Sequence, residues 1–371
     1  MKPVAARLQD RDGTHSGMNE NLLLYRMPWP RLRALYLPSS PARKSGLDLF
    51  VPEWANRSLI GLAARVRPAT GRLPEDHLCR VTALAAEAGA TVAGVLVGTP
   101  GPYQKISVAL HLPDGRLVVA KLALGSRAEE RIAIEAQWLR RLAETAALAK
   151  QVPRLLAEGQ IRGRAFLVQT VRAGPRPPRR WIHPAAAFLW ALAGSGPREG
   201  YLESAGWRGL ETGLKRLRPH LDSVSCGLLG RGIEAAGTRL VGMALPATPV
   251  HRDFAPWNAV LEANQLFVFD WEYAIESGNP VQDFLHWHLL SAVVRGRLPN
   301  PSTRKHVLAG MADYLAGLSP SRNFPRTVLR GLLIAYLLDV LLFYAEADGG
   351  LRLESPVING FLTLLRQEVV G

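Results

Sequence analysis

One stretch of the chain concentrates side chains that could do chemistry: Val250-His251-Arg252-Asp253-Phe254-Ala255-Pro256-Trp257-Asn258, followed by Leu266-Phe267-Val268-Phe269-Asp270-Trp271-Glu272. It sets His, Asp and Asn in the spacing H-x-D-x-x-x-x-N, with a second Asp twelve residues after the Asn. Two short apolar runs, 259–261 and 266–269, flank Glu262-Ala263-Asn264-Gln265, which predicts a β-hairpin. Folding back about Ala263-Asn264 brings Asn258 and Asp270 toward one open end of the ladder. A carboxylate and an amide oxygen there would suit Mg²⁺. Asp253, on the loop leading in, is then free to orient or deprotonate an attacking hydroxyl. These are the parts that phosphoryl transfer from ATP requires.

The pattern H-x-D-x-x-x-x-N followed by D-W-E resembles the aminoglycoside phosphotransferase and choline kinase group of small-molecule kinases, relatives of the protein kinases. The resemblance implies that Asp253 is the catalytic base, that Asn258 and Asp270 hold metal, and that His251 braces the catalytic loop. Gly278-Asn279-Pro280-Val281-Gln282-Asp283 is similar to the group's G-x-P-x-x-D segment, which gives Asp283 a bracing role. Two departures stand out. Arg252 replaces the Gly usual in the small-molecule kinases, and Asp-Trp-Glu replaces the protein kinases' Asp-Phe-Gly. The second favours the small-molecule branch.

The elements needed to position such a site precede it. A helix is expected from Pro74, with Leu78, Val81, Leu84, Ala85 and Ala88 facing inward and Gly89 ending it. The β-branched run 91–97 leads into Gly98-Thr99-Pro100-Gly101-Pro102, then a strand over 105–112, a turn at Pro113-Asp114-Gly115 and a strand over 116–124. Gly98 and Gly101 would let backbone approach a polyphosphate closely, although glycine with proline also serves any hairpin turn.

Lys121 is the sole charge in the apolar strand around it and shares a face with Val119 and Ala123. Burying it requires an anionic partner. Ser126 and Glu129 match a capping box that would start the next helix. On that helix Glu135 lies on the inward stripe with Ile132, Ala136, Leu139 and Leu142, so Lys121 and Glu135 are expected to pair. In the kinase-like fold this pair positions ATP phosphates.

Strands over 152–163 and 164–171 would complete the first lobe. The resemblance places the adenine-contacting hinge at Gln169-Thr170-Val171. A Pro/Arg-rich passage, 172–184, enters a region of helical periodicity. His286 and His288 are two apart, so on a helix they diverge, and both read as packing or substrate-lobe histidines, not metal ligands. The apolar run 328–345 contains Arg330 and Asp339, which a membrane span would avoid.

The net charge is +14, almost all of it scattered arginine without interleaved aromatics, which argues against a nucleic-acid surface. Two distant cysteines argue against a disulfide scaffold or a zinc site. The polar first twenty residues lack a signal-peptide core, so a cytoplasmic protein is expected. The resulting expectation is an α+β, two-lobed protein-kinase-like fold. It comprises an N-terminal extension (1–75), a small antiparallel-sheet lobe (76–171) and a helical lobe with the catalytic loop (172–371). Short runs at 22–25, 34–37 and 47–51 suggest strands within the extension, with a helix near 56–66 and a flexible arm over 1–20. The expected activity is transfer of the ATP γ-phosphoryl group to a small-molecule hydroxyl, with a sugar-like acceptor preferred. An aminoglycoside acceptor, a protein kinase and a catalytically silent binding module are the alternatives.

Overall fold

The computed structural model describes residues 23–27, 33–38, 43–50, 72–194, 198–246, 248–298, 300–319 and 323–370. The arm over 1–20 and the helix near 56–66 lie outside them. The chain divides into two compact units, Met1–Pro177 with Ala259–Glu272, and Pro178–Asn258 with Tyr273–Gly371.

The first unit is built on a seven-stranded antiparallel sheet. Its strands are β1 (Leu23–Met27), β2 (Arg33–Leu37), β3 (Thr91–Val97), β4 (Lys105–His111), β5 (Leu117–Ala123), β6 (Leu155–Ile161) and β7 (Arg164–Thr170), in the order β1-β2-β3-β4-β5-β7-β6. The extension therefore lengthens the sheet: β2 pairs with β3 from Ala34↔Val97 to Tyr36↔Val95. Residues 47–50 of the run 47–51, expected as a strand, instead fall in the helix Arg43–Phe50. Glycine decides this locally, because Gly46 crosses so near Ala93 and Gly94 of β3 that a Cβ there would meet the Ala93 carbonyl.

Period-two alternation gives each sheet face its own cover. Val118, Ala120 and Leu122 join Val81, Leu84 and Ala85 of the helix Glu75–Ala88 in one core. That helix ends at Gly89, in the left-handed conformation with φ +59°, as its sequence predicts. Leu78 was expected inward but is 38% exposed; it lies on the flank that Val81 and Leu84 leave to solvent. On the other face, Ala123 and Leu167 pack against Ala128, Ile132 and Ala136 of the helix Ser126–Glu144. The predicted capping box is absent there. Gly125 is the N-cap, and Ser126 is already inside the first turn, so its hydroxyl cannot cap.

The second unit is mainly helical. Its longest element, Arg326–Asp348, is long and apolar enough to cross a membrane, but 78% of its most apolar window is buried within the protein. Asp339 on this helix binds Arg252 of the loop that carries Asp253. The helix Gln282–Val293 places Asp283 in its first turn and His286 one turn on.

Candidate active site

The first unit gathers four charged side chains around Asp270. Lys121 is 5% exposed and Glu135 fully buried, and Lys121 Nζ lies 2.5 Å and 2.6 Å from the two Glu135 carboxylate oxygens. This is the predicted pairing, made on the sheet face that the Ser126–Glu144 helix covers. Lys121 Nζ also donates to Asp270 Oδ1 at 2.7 Å. Sequence reasoning missed a second lysine: Lys105 Nζ lies 3.0 Å from the same Asp270 oxygen and 2.5 Å from Glu272 Oε2. Burial alone would raise the Asp270 pKa, but Lys105 and Lys121 together hold it well below the usual carboxylate range. Glu272 has the opposite balance, and burial pushes it up to about 7.

Asp270 reaches this position through the predicted hairpin. Ala259–Glu262 pairs with Gln265–Val268 from Ala259↔Val268 to Glu262↔Gln265. Ala263 and Asn264 form the two-residue turn with φ +46° and +61°, the conformation that suits the twist of a tight hairpin. The passage 172–177 clamps the hairpin. Leu261 N–H donates to the Pro175 carbonyl, Arg172 pairs with Glu262, and Arg176 donates to the Ala259 carbonyl while lying over the Phe269 ring. Gly174 lies close to the hairpin, where a Cβ would come within 2.7 Å of Val260 Cγ1 and force a shift. Asp270 itself has φ +74°, a costly backbone for a non-glycine residue.

Gly98 and Gly101 bound the turn between β3 and β4. Gly98 N–H donates to the Lys105 carbonyl at 2.9 Å, Gln104 Nε2 donates to the Gly98 carbonyl, and Gly101 has φ +153°. Gln169 sits opposite Val119 in the ladder, on the Lys121 face, and is 4% exposed. Among the described residues its buried Oε1 has no hydrogen-bond partner. Val171 follows the strand directly and is half-buried.

The second unit holds the H-x-D-x-x-x-x-N loop. Asp283 accepts from the backbone N–H of His251 at 2.7 Å and of Arg252 at 2.9 Å, so it braces the loop. Its helix begins at Gln282, which favours a carboxylate in that first turn. His251 is fully buried, and its Nδ1 accepts from the Asp253 N–H at 3.2 Å. Arg252 has φ +63°, and its guanidinium binds both Asp339 oxygens, at 3.1 Å and 2.7 Å. Asn258 Nδ2 donates to Asp253 Oδ2 at 2.8 Å and to the Asp253 carbonyl, which turns its amide oxygen outward from that pair.

Of the two histidines expected to serve packing or the substrate lobe, His286 makes polar contacts. Its Nε2 lies 3.3 Å from Asp253 Oδ1, and its Nδ1 lies 3.3 Å from the Tyr336 hydroxyl. Tyr336 must donate to Nδ1 if Nε2–H is to donate to the carboxylate, so the pair fixes the tautomer. His288 diverges from it as expected, packing its ring 4.6 Å from Phe284 and 5.6 Å from Trp181.

A paired strand lysine and helix glutamate, joined by an aspartate downstream of an H-x-D-x-x-x-x-N loop, define a kinase-like phosphotransferase. Residues 107–318 match the model of the phosphotransferase enzyme family, APH, and the chain belongs to that family. No curated protein sequence matches the chain. Solved structures share the fold. Aminoglycoside phosphotransferase APH(4)-Ia, as a thermostable mutant in its apo form, is 15% identical with TM-score 0.55, covering 77% of this chain and 97% of that one. A fructosamine-3-kinase homologue from Thermobifida fusca is 16% identical with TM-score 0.51, covering 76% and 95%. Macrolide 2'-phosphotransferase type I is 14% identical with TM-score 0.51, covering 80% and 99%.

Proposed function

We propose that the chain transfers the γ-phosphoryl group of ATP to a hydroxyl of a small molecule, with a saccharide-like acceptor preferred. The observation that carries this reading is the buried Lys121 ammonium, shared between Glu135 and Asp270. An ammonium so placed is costly unless its anions hold it for a ligand, and polyphosphate is the ligand that a lysine beside a metal-binding carboxylate suits. Gly98 and Gly101 would border the phosphates, and Gln169 and Val171 the base.

The donors fit Mg²⁺, since Asp270 offers a carboxylate and Asn258 an amide oxygen, both hard ligands. When bound, the ion would neutralise charge on the transferring phosphates. Asp253 would take or direct the acceptor proton, its carboxylate aimed by Asn258 and His286. His251 would serve by holding the Asp253 backbone. The solved relatives are named for aminoglycoside, macrolide and fructosamine acceptors, so one fold serves several small molecules. The charge balance of residues 271–371 speaks against a polycationic acceptor.

The test is ATP turnover with Mg²⁺ against a panel of sugars, aminoglycosides and amino alcohols, with Asp253→Asn beside the wild type. The variant should lose about a hundred- to ten-thousand-fold in turnover while binding nucleotide normally. Near-normal turnover by Asp253→Asn, or no nucleotide binding by wild type, would reject the reading.

A further inference from the structure

Lys105 stands outside the expected kinase apparatus, yet it reaches the carboxylate at its centre. It opens β4, two residues before Ser107, whose Cα partner is Lys121. Residues two apart on a strand share a face, so both lysines emerge on the same side of the sheet. Their ammonium groups converge on one oxygen, Asp270 Oδ1, at 3.0 Å and 2.7 Å. Two like charges at such range repel, and each is tolerated only because Glu272 and Glu135 flank them.

The two lysines are not held equally. Lys121 is gripped by both oxygens of a fully buried Glu135. Lys105 has a more exposed side chain, 16% against 6%. It also sits at the end of the glycine turn, where its carbonyl accepts from Gly98. A divalent cation on Asp270 would face both ammonium groups at once. Lys105 is the one that can leave.

We propose that Lys105 is a built-in placeholder for the metal: it neutralises Asp270 in the nucleotide-free protein, and a divalent ion must displace it. This rests on the phosphotransferase reading only in assigning Asp270 to the metal. The consequence is that metal loading is suppressed until nucleotide arrives. Phosphate oxygens would then compensate the displaced ammonium, coupling the two binding events.

The experiment measures Mn²⁺ binding to the full chain by electron paramagnetic resonance, with and without ADP. The variants are Lys105→Met, Lys105→Gln and Lys105→Arg, with folding checked by circular dichroism. Without nucleotide, wild type and Lys105→Arg should bind Mn²⁺ weakly. The two neutral variants should bind it about tenfold more tightly, as expected for removing one charge at this range. The gain should vanish when Asp270→Asn is added. Lys105→Gln keeps a hydrogen-bond donor in place should Lys105→Met fail to fold. Unchanged Mn²⁺ affinity in a folded neutral variant overturns the proposal. So does a gain that survives Asp270→Asn, or one that Lys105→Arg shares. Because the decisive arm contains no nucleotide, it is read separately: failure of wild type to bind ADP with metal counts against the phosphotransferase reading.

Discussion

The proposed role of Lys121 and Glu135 would make them a buried ion pair kept for function and not for stability. Taking both charges out of water costs several kcal/mol per ion, which their attraction only roughly repays. Removing one partner is worse, because the other charge stays buried and uncompensated. Glu135→Ala should therefore destabilise the protein by about 3 kcal/mol. Replacing both residues, Lys121→Met with Glu135→Leu, should recover most of that loss but not nucleotide binding. Urea denaturation beside ADP titration separates the two effects, and a double variant as unstable as Glu135→Ala would contradict this account of the pair. The pair was legible in the sequence because each member is a lone charge on an apolar stripe. Lys105 and Glu272 were not. A lysine at the mouth of a hairpin ordinarily points to water, and a glutamate after Asp-Trp has no periodic neighbours to mark it as buried. The rule that residues two apart diverge was sound for His286 and His288. Only the three-dimensional path of the catalytic loop shows that one of the two directions ends on Asp253.

Between residues and molecule stand the elements that hold the loop. The loop's backbone hangs from Asp283, and its Arg252 side chain is tied to Asp339 on the long helix Arg326–Asp348. Gln282 Nε2 donates to Asp339 Oδ2 at 2.7 Å, so one carboxylate links the long helix to both the loop and the helix Gln282–Val293. Arg252 achieves this with φ +63°, a conformation costing roughly 1 kcal/mol for a residue with a side chain. Arg252→Gly and Arg252→Ala both remove the ion pair, but only the first relieves the backbone. The glycine variant should melt higher than the alanine variant by an amount corresponding to about 1 kcal/mol. Equal melting temperatures would mean that φ carries no cost there. Hydrophobic alternation made β3 to β5 and β7 readable, along with the Gly89 stop and the tight hairpin turn. The Arg43–Phe50 helix was not, because its place is set by how closely Gly46 crosses β3. The absent capping box fails for a related reason, since a one-residue change in the helix start moves Ser126 from cap to first turn.

At the scale of the whole molecule, the +14 charge resolves into local business. Arg252, Arg304 and Arg330 bind Asp339 or Glu368, and Arg176 lies over the Phe269 ring, so part of the positive charge is consumed by structure. Acid tolerance is expected to depend on a histidine. His288 packs among Phe284 and Trp181, and burial lowers its pKa from the ordinary 6.5 to about 4. The unfolded chain therefore binds a proton near pH 6.5 that the native protein refuses until about pH 4. Stability contributed by the neutral ring is fully present above pH 6.5 and is lost as the pH falls toward 4, where both states carry the proton. Over that interval the loss should approach about 3 kcal/mol, because each pH unit crossed costs roughly 1.4 kcal/mol. His288→Phe keeps the ring and removes the titration. Urea denaturation at about pH 7.5 and about pH 4.5 should show the wild type losing more stability than the variant, by up to that amount. Parallel losses in both proteins would place the acid sensitivity elsewhere, in Asp270, whose carboxylate Lys105 and Lys121 hold well below the usual range.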